Sequence, residues 1–377
     1  MTNLAHGPAF PRRSGAILGA VLAIGAAGVA ARAESLDQIK ADAAAATSPV
    51  TVWDGPTTGP KAQKNKRVVV ISDTQTNAGS AGVEAGAQEA AAALGWKITI
   101  IDGQNSATGW ASAWEQAIAL KPDGIIDSSI QAAHSLAAIG RAVDQGIKIV
   151  SWHAASQPGL VKEAPGIAWN ISSDPYEIGN VAAKYAVAHS NGKANAVILA
   201  DLQFPIVVAK TNGESDGIKA CDTCAVLSIE NAPYTEISQR MPSLMSAFLQ
   251  RYGTKMGYVL AFNDLYYDFS VPTLRAASVP ADGPPFLISA GDGSVSAYER
   301  IRKGDYQIGT VPEPLNLEGW QAIDEMNRAL SGEKPSGYIP KIHLVTKDNI
   351  DADGGDKNHF DPGNGYRDQY KKIWGLE

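Results

Sequence analysis

Apolar residues along this chain follow two alternating periods. Residues 68–71 (VVVI) and 98–101 (ITII) are short apolar runs rich in β-branched side chains, which suit strands covered on both faces of a parallel sheet. Between them Val83, Ala87, Ala91 and Leu94 recur at helical spacing, and Gly95 follows as a C-cap. The polar loop at 73–77 falls at the C-terminal edge of the first strand, where open α/β sheets bind ligands. Residues 66–105 therefore read as one βαβ unit.

The alternation continues. Strands are expected at 124–127, 148–152 and 166–170, with helices at 110–120, 134–145 and 175–189. A second series places strands at 196–200, 225–229, 257–262, 286–290, 306–311 and 341–345, and helices at 208–220, 237–252, 267–278, 294–303 and 315–330. Two consecutive runs of this kind predict an α/β protein with two doubly wound parallel-sheet lobes. Outside them, residues 34–47 suit a short Ala-rich helix and 53–60 a Pro/Gly-rich linker. Residues 351–377 read as a C-terminal tail, polar and Gly-rich until 370–374, and a solvated stretch is expected around Asp351, Asp353 and Asp356, where glycines stand at positions a calcium loop needs for ligands.

With 377 residues, 45% hydrophobic and 19% charged, the chain has the composition of a soluble protein long enough for two cores. Its formal net charge of −7 and lack of a basic face argue against a nucleic-acid partner. Residues 1–33 look like an export signal: Arg12-Arg13, an apolar Gly/Ala-rich stretch at 16–30, and the A-x-A site Ala31-Arg32-Ala33. The apolar stretch is short for a spanning helix, and the arginine pair fits either general or twin-arginine export. Cleavage after Ala33 would deliver a periplasmic chain with 29 basic and 39 acidic residues. In that oxidising compartment Cys221 and Cys224 suit a local disulfide. A redox-active C-x-x-C usually opens a helix after a strand; this one follows a helix and leads into a strand, so a structural staple is the better expectation. No cofactor and no metal are expected.

The segments GVEAGAQEAAAALGW, IIDGQNS, LKPDGIIDSS, QGIKIVSWHA, WNISSDPYEIGNVAA, FNDLYYDFSVPTLRAA, ISAGDGSVSAYERIRKGD and GWQAIDEMNRALSGE stand in one order over about three quarters of the chain. In that order the chain resembles the type I periplasmic binding proteins, and within them the ribose-binding-like cluster of sugar ABC importers. The resemblance implies two lobes joined by three crossovers, with ligand held between them. Lobe one would comprise residues 66–170 and 313–338, lobe two 171–312 and 339–350. An N-terminal extension, 34–65, would strap onto lobe one. It also implies a monomer that closes by hinge motion on a sugar or polyol and delivers it to an inner-membrane ABC permease. A sensory protein presenting ligand to a chemoreceptor or histidine kinase is the alternative. An exported enzyme is remote, because no phosphate-binding, nucleophile-elbow or zinc-protease motif is present.

Strand C-termini place Asp73, Asn77, Trp152, His153 and Asn170 at the cleft from the first lobe, and Tyr234, Asn263, Asp264, Asp292 and Glu313 from the second. Carboxylates and carboxamides can each engage two neighbouring hydroxyls, while aromatic faces cover the apolar side of a sugar. By resemblance, Asn263 in FND and Asp292 in AGD match family positions that hydrogen-bond sugar, and Asp73 falls in the first contact loop. Where ribose binders carry Asp-Arg after the fourth strand, this chain has His153-Ala154. Where they carry an arginine opening the lobe-two helix, it has Asn212 or Glu214. A cleft short of arginines and rich in acids suits a neutral or cationic ligand.

Overall fold

The computed structural model describes residues 34–376, so the export segment expected over 1–33 lies outside the described residues. The chain opens with α1 (Leu36–Ala46), capped by the Ser35 hydroxyl, which accepts from the Gln38 N–H. The first sheet arises from β1 (Arg67–Ser72), α2 (Ala78–Leu94), β2 (Lys97–Asp102), α3 (Ala107–Ala119), β3 (Gly124–Ser128), α4 (Ala132–Asp144), β4 (Lys148–Trp152) and β5 (Ile167–Ile171). The second arises from α5 (Pro175–His189), β6 (Asn195–Ala200), α6 (Pro205–Lys219), β7 (Ala225–Asn231), α7 (Ile237–Tyr252), β8 (Tyr258–Ala261), α8 (Leu265–Ala276), β9 (Phe286–Ser289), α9 (Val295–Lys303) and β10 (Gln307–Thr310). The chain then returns to the first sheet with α10 (Leu315–Ser331), crosses back to β11 (Val345–Thr346) and α11 (Ile350–Asp353), and finishes with α12 (Tyr366–Trp374).

The strand orders are β2-β1-β3-β4-β5 and β11-β10-β9-β8-β6-β7, parallel throughout except for the β10–β11 pair. Each order reverses once, after β1 and after β6, and the crevice at such a reversal is where open α/β sheets take ligand. Helices cover both faces of each sheet, which explains why Val68, Val69, Val70 and Ile71 are all buried. Three crossovers link the lobes: between β5 and α5, between β10 and α10, and between α10 and β11. In lobe two, α5 and α6 cross nearly backbone to backbone. A Cβ on Gly213 would lie 2.0 Å from the Tyr176 carbonyl oxygen, and one on Gly179 would lie 1.9 Å from that of Lys210. Only glycine permits that approach, which seats α6 and fixes where Lys210 projects.

Three expectations need correction. The last strand is not 341–345 but the two-residue β11. Ile342 and Leu344 face the lobe-two core while the chain is still crossing, and the Leu344 N–H donates to Ala46 rather than to the sheet. The C-terminal residues are more than a tail: Tyr366, Tyr370 and Trp374 of α12 are buried against Trp320 of α10. Nor does the N-terminal extension strap lobe one alone. Ile39 of α1 joins the core of lobe two, where Lys184 pairs with Asp42 and Glu34 at 2.6 and 2.8 Å. The chain beyond it docks on lobe one, with Trp53 against Tyr338 and Tyr370, and the Ala62 N–H donating to Trp374. The extension thus ties both lobes together beside the third crossover. Cys221 and Cys224 form a disulfide in the turn between α6 and β7. Among the described residues no helix is long and apolar enough to cross a membrane.

Candidate functional site

The cleft lies where the C-terminal edges of the two sheets meet. Lobe one contributes Asp73 and Asn77 from the loop after β1, Asn105 and Trp110 after β2, Ser129 and Gln131 after β3, and Trp152 and His153 at the end of β4. Lobe two contributes Phe204, Ile206, Val207 and Lys210 from the start of α6, Tyr234 and Thr235 after β7, Phe262 and Asn263 after β8, and Asp292 after β9. A Cβ on Gly79 of α2 would sit 2.9 Å from Asp292 Oδ2, so the two lobes nearly touch at the mouth of the site.

Local geometry holds each group. Asn77 caps α2 by accepting from the Gly79 N–H at 3.0 Å, and its amide donates to Asp73 at 3.1 Å. Ser80 also donates to Asp73. Burial raises the Asp73 carboxyl above its usual range against these two hydrogen bonds. Asn263 accepts from the Leu265 N–H at 2.9 Å and donates to Asp292 at 2.7 Å. Burial raises Asp292 as well, against the pull of Lys210 at 3.9 Å. Aromatic side chains form the apolar walls.

His153 has φ +58°, a left-handed conformation uncommon for a side-chain-bearing residue and often found at functional sites. Its ring stacks on Trp152 at 3.6 Å, and its Nε2 lies 2.9 Å from Glu313 Oε1. Glu313 stands on the second crossover and also meets Lys210 at 3.4 Å. Burial alone would raise the Glu313 carboxyl; His153 and Lys210 overcome it and hold it down at about 2. Burial opposes the Lys210 ammonium too, yet Glu313 and Asp292 outweigh it and raise its pKa. Behind this group Glu318 accepts from Trp152 Nε1 at 2.8 Å and from the Ser173 N–H at 3.1 Å. Burial pushes Glu318 well above the carboxylate range, with Glu313 adding to the effect. His153, Glu313 and Glu318 bring metal-ligand atoms within 4.8 Å of one another. Those atoms are already committed to one another, to Trp152 and to Ser173, and the Lys210 ammonium beside them disfavours a cation.

Of the residues expected at the cleft, Asp73, Asn77, Trp152, His153, Tyr234, Asn263 and Asp292 line it. Four do not. Asn170 is buried under the loop after β4, accepting from the Ala154 N–H and donating to the Gln157 carbonyl. Glu214 is fully buried on α6, away from the cleft lining. Asp264 accepts from the Gly293 and Ser294 N–H groups and from Gln307, bracing the loop that carries Asp292. Glu313 lies one layer below the cleft as the partner of His153 and Lys210. The expectation of a cleft short of basic groups also needs amending, because Lys210 on α6 lines it, near the Asn212 or Glu214 read in place of the ribose binders' arginine. Its signal was present: one lysine among the apolar residues that open the helix after β6. Trp110 and Phe204 follow β2 and β6, so the strand-end rule covers them as well.

The family profile described as "Periplasmic binding protein domain" matches residues 68–334, more than half of the chain. A comparison with curated proteins finds no match. Among solved structures, the chain is similar to GanP, a glucose-galactose binding protein from Geobacillus stearothermophilus. The TM-score is 0.66 at 18% identity, over 76% of this chain and 99% of that one. A solute binding protein of an ABC transporter from Agrobacterium vitis with bound allitol gives 0.65 at 18%, over 77% and 98%. A chain of the XylFII-LytSN complex gives 0.63 at 16%, over 76% and 100%.

Proposed function

Since the chain belongs to the periplasmic binding protein domain family, we propose that it is the exported solute-binding subunit of an ABC importer, taking a sugar, polyol or related polyhydroxylated compound. The cleft carries this reading. Asp73 and Asn77 face Asn263 and Asp292 across the lobe junction, with Trp110, Phe204, Tyr234 and Phe262 as apolar walls. Paired oxygens and amides answer hydroxyl rows, and ring faces answer C–H faces. The solved relatives that bind glucose, galactose or allitol share this fold and support the same ligand class.

Ligand draws the lobes together by bending the three crossovers and shifts the open–closed population toward the closed form, which the permease then recognises. The protein acts as a monomer in the periplasm and binds without chemical conversion. The similarity to a chain of the XylFII-LytSN complex favours one second reading, in which the closed form is presented to a sensory partner. A thermal-shift screen against sugars, alditols, amino sugars and sugar acids tests the proposal, because a ligand that binds only the folded state raises Tm by mass action. A hit lost in Asn263→Ala and Asp292→Ala supports the cleft assignment. A hit that survives both changes removes it.

A further inference from the structure

The charges around the cleft do not balance. Asp73, Asp292 and Glu313 are the acids at or just beneath its surface, and Lys210 is the lysine among its lining residues. The Lys210 ammonium is divided between Glu313 at 3.4 Å and Asp292 at 3.9 Å. His153, the other basic group, is directed at Glu313. Asp73 has neutral partners, Ser80 and Asn77, and the charged group that acts on it is another acid, Asp292. The N-termini of α2, α4 and α6 at the cleft add partial positive charge but no cation facing Asp73. Asp73 and Asp292 are half-buried, and a carboxylate partly withdrawn from water without a cation of its own is stabilised by gaining one.

The walls supply an independent sign. Trp110, Phe204, Tyr234 and Phe262 present aromatic surface to the same space as the uncompensated acids. Aromatic faces attract ammonium groups, most strongly where water is excluded. Carboxylates opposed across a cleft and flanked by rings recognise an alkylammonium ion, whereas a neutral alcohol would leave the excess charge in place.

We propose that the ligand is a polyhydroxylated compound carrying a protonated amine, with the ammonium seated between Asp73 of lobe one and Asp292 of lobe two. This rests on the solute-binding reading above and narrows its substrate class. Because the two acids belong to different lobes, the ammonium would also bridge the closed form.

Matched pairs separate the two claims: glucosamine with glucose, galactosamine with galactose, and glucamine with sorbitol, each titrated calorimetrically at pH 7.5. At least one amine should bind 10-fold or more tightly than its neutral counterpart, and that preference should vanish in Asp73→Asn. Asp292→Asn should weaken the same preference and serves if Asp73→Asn does not fold. Neutral members binding as tightly as the amines, or a preference that survives both variants, would overturn the proposal while leaving the solute-binding reading in place. Silence from all three pairs would also overturn it, and with the wider screen silent as well it would remove the cleft assignment.

Discussion

Replacing Glu313 by glutamine tests whether the ionic cluster at the second crossover stabilises this fold. The change preserves shape but removes the anion that faces His153 Nε2 at 2.9 Å and Lys210 Nζ at 3.4 Å. Lys210 would then be buried with Asp292 alone, at 3.9 Å. The Glu313 carboxyl, held down at about 2 against an ordinary 4.5, is easier to ionise in the folded than in the unfolded chain. At about 1.4 kcal/mol per pK unit, that difference is on the order of 3 kcal/mol. It is fully present above pH 4.5 and is lost as pH falls toward 2. Breaking buried pairs elsewhere costs about 3–5 kcal/mol, which agrees. For a lobe of this size Tm should drop by roughly 6–12 °C at pH 7. Scanning calorimetry of both proteins at pH 7 and pH 3 reads the result. The gap should shrink by more than half at pH 3, where the unfolded carboxyl is already protonated while the native one, held at about 2, stays largely ionised. A gap of equal size at both pH values would show that Glu313 acts by packing, and no gap at pH 7 would refute the electrostatic account.

Two further outcomes follow from packing. Gly213→Val places side-chain carbon where the Tyr176 carbonyl oxygen lies 2.0 Å from the Cβ position, so α5 and α6 must separate. Overpacking of this kind costs about 1–3 kcal/mol, read as a lower urea midpoint, and an unchanged midpoint would mean that the helices slide freely. Trp374→Ala removes the ring stacked on Trp320 at 5.5 Å and should cost about 3–5 kcal/mol with loss of near-ultraviolet dichroism. No change in either signal would return α12 to the status of a tail.

Much of the architecture was legible because period and burial agree. The helices expected at 175–189 and 237–252 coincide with α5 and α7, each opening or closing on clear punctuation. The elements misread are those whose apolar residues serve contacts distant in sequence. Ile342 and Leu344 look like a strand but are a crossover, and Tyr366, Tyr370 and Trp374 stand at helical spacing within a Gly- and Asp-rich stretch. In the cleft, strand ends identified the right loops but could not separate one layer from the next. Asp264 and Asp292 both follow strands, yet one braces a backbone turn and the other lines the cleft. Whether a carboxylate meets solvent or a buried N–H is decided by neighbours that sequence spacing does not identify. Lys210 escaped notice for the opposite reason, as a charge in a setting that reads as core.

The position of α12 bears on how the chain becomes folded. Lobe one draws its core from β1 through β5, from α10, and from Tyr366, Tyr370 and Trp374, the last of which lies a few residues from the C-terminus. Lobe two draws mainly on the continuous run from α5 to β10, with Ile39 of α1 and Ile342 and Leu344 before β11 added to it. Contacts between remote residues form late, after the entropy of closing the intervening loop has been met. A chain emerging from its N-terminus can therefore assemble its second lobe while the first still awaits its final helix. The half synthesised first is completed last, and until then its exposed sheet face is the surface most in need of protection from aggregation.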